Sequence, residues 1–164
     1  TMGYSIIWIG LGSMLGQIDS LKTAIATTQG AERLQILYDI ANLASNPDEK
    51  LEVANQLMRE SVSQSSLYYQ GLAHHVIGYV KQANGDVAGI IEQHRMAANK
   101  FNQIDRLDKV ARQMLNLGNR YADIGMYDSA ISIYTRGENI AKSVMDTSAL
   151  YGGCIYQYKY YTSR

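Results

Sequence analysis

The chain is predicted to be all-α: a right-handed α-solenoid of antiparallel helix hairpins, repeating about every forty residues and truncated in its last repeat. Three observations predict it. Apolar residues recur at helical spacing, with Leu107, Val110, Ala111, Met114, Leu117, Gly118 and Tyr121 on one stripe and Ala130, Ile131, Tyr134, Ile140, Ala141 and Val144 on the next. Small-residue positions return at a fixed interval: Ile77-Gly78 lies forty positions before Leu117-Gly118, as Gly85 does before Gly125 and Ala97 before Gly137. Finally, 14 glycines and one proline suit helices punctuated by turns. A single hairpin cannot bury such a stripe, so it requires neighbours of its own kind.

Taken in order, Tyr4–Leu15 is apolar and uncharged, the first charge being Asp19. It is too short for a membrane span. Its length fits the apolar region of a secretory signal, with cleavage between Gly16 and Gln17. Neither Lys nor Arg precedes it and Met14 suits a cleavage site poorly, so the alternative is an N-terminal helix packed on the solenoid end. On the export reading, residues 1–16 form a signal peptide and 17–164 the repeat domain, exported, periplasmic or membrane-associated; otherwise the chain is cytoplasmic.

Gln17–Thr28 reads as a short helix ended by Gly30. Ala31–Ala44 and Glu49–Gln64 make a divergent first hairpin (31–64), with Ala41 in the place of the later glycine. Between them Asn46-Pro47-Asp48 is a turn and helix start, since proline suits the first helical turn and acids its dipole. Ser66–Ala83 and Asp86–Ile104 form the second hairpin (66–104), with Ile90 at the place of Ala130 and His94 at that of Tyr134. The third (106–144) folds at Gly125, a residue free to take positive φ. Residues 147–164 keep the register, Tyr161 lying forty after Tyr121, but supply only a first helix. A fragment of a longer protein is expected, with Tyr151, Ile155 and Tyr158 leaving an apolar face through which it would dimerise or aggregate.

Met114-x2-Leu117-Gly118-x2-Tyr121, followed by Ala130-x3-Tyr134, resembles the tetratricopeptide (TPR) repeat. Leu117, Gly118, Tyr121 and Ala130 match its signature. Met114 replaces the family's Trp, Tyr134 its Phe, and Lys142 stands where the closing Pro would be. Forty exceeds the family's usual ~34 residues, which implies helices extended by about a turn.

Composition narrows the function. Lys+Arg and Asp+Glu both number 15, so there is no basic surplus for nucleic acid. Thirteen tyrosines against one Phe and one Trp fit either core-edge packing or a Tyr-rich groove. A lone Cys154 excludes an internal disulfide framework and reads as a small buried residue. His74 and His75 are adjacent and so point about 100° apart on a helix, which disfavours a shared metal with His94. No phosphate loop or dinucleotide fingerprint is present, and Gly152-Gly153-Cys154 lacks the strand-turn-helix context of a nucleophile. No catalytic residue, metal or cofactor is expected.

The resemblance implies a concave face lined by the first helix of each hairpin, where the family takes peptide or protein segments. Carried over, the partner-binding positions are Tyr38, Asn42, His75, Tyr79, Arg112, Asn116, Asn119 and Asp123. The family's chaperone-binding members grip a terminal carboxylate. Asn42 and Arg112 agree with that clamp, but Tyr38, Val76 and Asn116 stand where it needs Lys, Asn and Arg, so no clamp is expected. The expected function is a non-enzymatic protein- or peptide-binding module. It is similar to the sensory regions of bacterial histidine kinases or transcriptional regulators, whose membrane contact would come through the signal peptide or a further C-terminal span. The alternative is a free-standing scaffold.

Overall fold

A computed structural model describes residues 14–146, which form seven helices and no strand. They are α1 (Met14–Ile25), α2 (Gly30–Leu43), α3 (Pro47–Ser63), α4 (Leu67–Ala83), α5 (Val87–Asn102), α6 (Leu107–Asp123) and α7 (Tyr127–Ser143). Each helix packs on the next in the chain, so α2/α3, α4/α5 and α6/α7 stack as consecutive hairpins behind α1. Helix α1 begins three residues before Gln17, which places the bond between Gly16 and Gln17 inside its first turn. The readings of residues 1–13 and of the half repeat, with Tyr151, Cys154, Ile155, Tyr158 and Tyr161, lie outside the described residues. Among the described residues no helix is long and apolar enough to cross a membrane.

The turns obey a period half that of the hairpin. Ser65, Gly85, Asp105, Gly125 and Met145, twenty positions apart, all take left-handed φ between 52° and 77°. In each case the next N–H returns to a carbonyl five residues back, as in Ser66 to Ser61 and Met126 to Tyr121, at 2.8–3.0 Å. This double-bonded helix end satisfies carbonyls that would otherwise be orphaned and reverses the chain in three residues. Only Gly85 and Gly125 betray it by residue type, since L side chains resist that conformation. The α2–α3 turn is built differently. The Asn46 side chain accepts from the backbone N–H of Asp48 (2.8 Å) and Glu49 (3.3 Å), and Pro47 opens α3.

Within each hairpin one position pair sets how closely the axes approach. A Cβ on Gly118 would lie 2.5 Å from the Tyr134 ring, and one on Gly78 would lie 3.4 Å from His94. The first hairpin reverses the sizes: Tyr38 packs over a cluster containing fully buried Ala54. This corrects the placing of Ala41 at the glycine position. Helix α2 ends at Leu43, forty before Ala83, so the register runs unbroken and puts Tyr38 opposite Ala54. Fully buried Ala41 and Ala54 share that cluster, so the first hairpin has a small residue on each helix, with Ala54 the one at the position of His94. Arg33 further clamps α2 to α3 through two bonds to Glu60, at 2.7 and 3.0 Å. That pairing holds the Glu60 carboxyl below its ordinary range.

Candidate functional site

Helix α2 packs directly on α4, and the Gln113–His75 contact joins α6 to α4, so the first helices of the hairpins follow one another in one layer. The centre of that layer is His75 on α4. One turn on, the exposed Tyr79 ring meets it edge-on, with centroids 4.8 Å apart. Buried His94 of α5 lies 5.9 Å from His75 and 6.0 Å from Tyr79. Between the two imidazoles the buried Gln113 of α6 inserts its amide. Its Oε1 is 2.9 Å from His94 Nδ1, and its Nε2 is 3.0 Å from His75 Nδ1. His75 Nδ1 also lies 3.2 Å from the amide oxygen, so His94 donates to Oε1 while His75 either accepts from the amide N–H or donates to the second lone pair of Oε1. Burial lowers the affinity of both rings for protons and holds His75 to about 4, so both are neutral near pH 7. His74 faces elsewhere, its Nδ1 2.8 Å from Gln93 Oε1 of α5.

The other positions read from the sequence divide. Asn119 is buried, and its Oδ1 accepts from the Tyr134 hydroxyl at 2.5 Å, so it serves the α6–α7 packing. Tyr38 is half-buried in the core. Asn42 is exposed at the end of α2, where its carbonyl accepts from Lys50 Nζ at 3.1 Å. Arg112 is exposed and lies 3.5 Å from Asp146. Asp123 pairs with Arg120 at 3.1 Å, and Asn116 is half-buried. His75 and Tyr79 are therefore brought together, while Asn119 and Tyr38 are turned to structural use.

Two groups were missed. Gln113 was not among the positions read from the sequence. Gln35 and Asp39 lie forty before His75 and Tyr79 and occupy their level on α2. Tyr69 of α4 donates to Gln35 Oε1 at 3.1 Å, and Gln35 donates to Asp39 Oδ1 at 2.8 Å. Burial raises the Asp39 carboxyl, and the Gln35 bond partly offsets this. The signal was available: keeping the forty-residue interval through α2 yields both residues, whereas anchoring on Ala41 shifts the choice to Tyr38 and Asn42. Among the described residues no three His, Cys, Asp or Glu side chains converge to hold a metal.

No family model matches the chain, and no curated protein matches it in sequence. A solved structure does resemble it: a Rap protein complexed with competence and sporulation factor, with a TM-score of 0.76 at 19% identity. The similarity covers 84% of this chain and 40% of that one. The fold is a TPR-like helical solenoid. The solenoid spans about two fifths of the Rap chain it matches.

Proposed function

We propose that the chain is a non-enzymatic binding module whose inner face, formed by α2, α4 and α6, takes a protein or peptide segment. The observation that carries the reading is the composition of that face at its centre. Tyr79, a large amphipathic ring with 46% of its surface exposed, is held rigidly beside His75. The neighbouring first helices carry the amides and charges of Gln35 and Asp39 on α2 and of Asn116 and Arg112 on α6. A rigid aromatic flanked by adaptable hydrogen-bonding groups is what an extended polypeptide requires: apolar contact at low entropy cost, and partners for its backbone. That the similar Rap structure holds competence and sporulation factor supports a binding role for such a solenoid.

On this reading the module is the sensory or interaction region of a larger bacterial signal-transduction protein, of the histidine kinase or transcriptional regulator kind. Occupancy of the inner face biases the packing between hairpins. Export of the module belongs to the same proposal. The test is selection of a displayed random-peptide library on the protein, followed by anisotropy titration of recovered peptides. Tyr79→Ala weakens those peptides about tenfold, while Met96→Ala on α5 leaves them unchanged. Failure to enrich any sequence, or equal binding to both variants, overturns the proposal.

A further inference from the structure

The outer sides of the three hairpins repeat one groove and fill it differently. In the first, Ile25 of α1, Leu37 and Ile40 of α2 and Glu49 and Val53 of α3 line a slot of about 240 Å³, which Lys22 of α1 crosses to reach Glu49 at 2.6 Å. Forty positions on, Glu49 becomes Gly89, and here a lysine of the hairpin itself closes the groove. Lys81 of α4 bonds Asp86 at 2.8 Å, and its Cδ lies 2.7 Å from where a Cβ on Gly89 would stand. The third hairpin has no lysine at either place. Asn102 stands at the position of Lys22 and Tyr121 at that of Lys81, while Met126 replaces Asp86 and Ser129 replaces Gly89. The groove is an open pocket of about 490 Å³, lined by Tyr121, Met126, Asp128, Ser129, Ser132 and Ile133.

The lining suits a basic side chain. Met126 and Ile133 offer apolar surface to its stem, and Asp128 with the hydroxyls of Ser129 and Ser132 offers acceptors to its head. Among the described residues Asp128 forms no ion pair. The adjoining turn is apolar as well: Ile124, Met126 and Tyr127 are 44%, 48% and 44% exposed, where the second hairpin has Asn84, Asp86 and Val87. We propose that the outer side of the α6–α7 turn docks a partner protein through a lysine or arginine flanked by apolar residues, the basic side chain entering the groove that Lys22 and Lys81 fill in the two preceding hairpins. A second copy of the chain would set Asp128 against Asp128, and an anionic lipid surface would meet the same carboxylate; a basic segment meets neither penalty. On α6, Tyr121 lies nine residues from Arg112 and so half-way round the helix. The site therefore does not depend on whether the inner face binds peptide.

The experiment is an NMR titration of the isotopically labelled protein, at low salt, with an acetylated and amidated leucine-lysine-leucine peptide. A second peptide carries norleucine in place of lysine. Saturable shifts are expected at the amides of residues 125–133, with the norleucine peptide about threefold weaker. Asp128→Asn removes that preference. The triple variant Tyr121→Lys, Met126→Asp and Ser129→Gly rebuilds the groove of the second hairpin, which folds with those three residues, and abolishes the shifts at 125–133. Absence of saturable shifts, shifts confined to the inner face around Tyr79, equal binding of the two peptides, a preference that survives Asp128→Asn, or undiminished binding to the triple variant would each overturn the proposal.

Discussion

Replacing Gly71 with alanine should change sign in its effect according to what stands at position 101. A Cβ at Gly71 would lie 2.7 Å from Phe101 Cε1, a distance that forces the ring to move. Phe101 is fully buried and packs with Leu72, Val110 and, edge-on at 6.0 Å, Tyr68. Overpacking of this kind costs about 1–3 kcal/mol. Alanine returns about 1 kcal/mol through its better helix propensity. Gly71→Ala alone should therefore destabilise by about 1 kcal/mol. Phe101→Ala alone should cost about 3–5 kcal/mol through lost burial and the cavity left behind. In that background the alanine methyl enters empty space, the propensity gain remains, and Gly71→Ala should stabilise by about 1 kcal/mol. The next hairpin carries Ala111 and Ala141 forty positions on, both fully buried, so an alanine pair is compatible with this site. The assay is a double-mutant cycle by urea denaturation, with coupling of about 2 kcal/mol expected. The same sign in both backgrounds would refute the claim that side-chain size at these paired positions sets the helix approach.

Two further outcomes follow from particular contacts. Tyr134→Phe leaves the buried Asn119 Oδ1 without its 2.5 Å donor and should cost about 1–3 kcal/mol by thermal or chemical denaturation; an unchanged midpoint would show that the amide finds another partner. Ser65→Gly removes a left-handed strain at φ 55° and should gain about 0.5–1 kcal/mol after the unfolded chain's extra freedom is subtracted. The reciprocal Gly85→Ser, at φ 71°, should lose a similar amount, and two changes of the same sign would contradict the turn geometry.

The resemblance named at the outset predicted a solenoid, and the similar structure establishes that fold. The helices themselves were legible because burial on one side forces a 3.6-residue period, and the hairpins because Gly85 and Gly125 declare left-handed turns. His75 and Tyr79, two of the eight positions that the resemblance implied, lie one turn apart on α4 and meet edge-on. Hidden from the sequence was every feature in which size or polarity is shared between helices. Tyr38 over Ala54 fills the space that Tyr134 over Gly118 fills elsewhere, so neither helix alone shows a conserved notch. Ser65 and Asp105 bend as glycines do because the packing of α3 on α4 and of α5 on α6 supplies the energy that their side chains oppose.

Gln113 looks like any solvated helix residue until two histidines from the preceding hairpin close on it. The chain's pattern thus determined the helices and their order, since those rest on contacts within a few residues. The forty-residue interval already carried the register at α2, and only the tertiary structure decided the polar contacts around Gln113. Those depend on pairings some twenty to forty residues apart, whose partners no local period identifies.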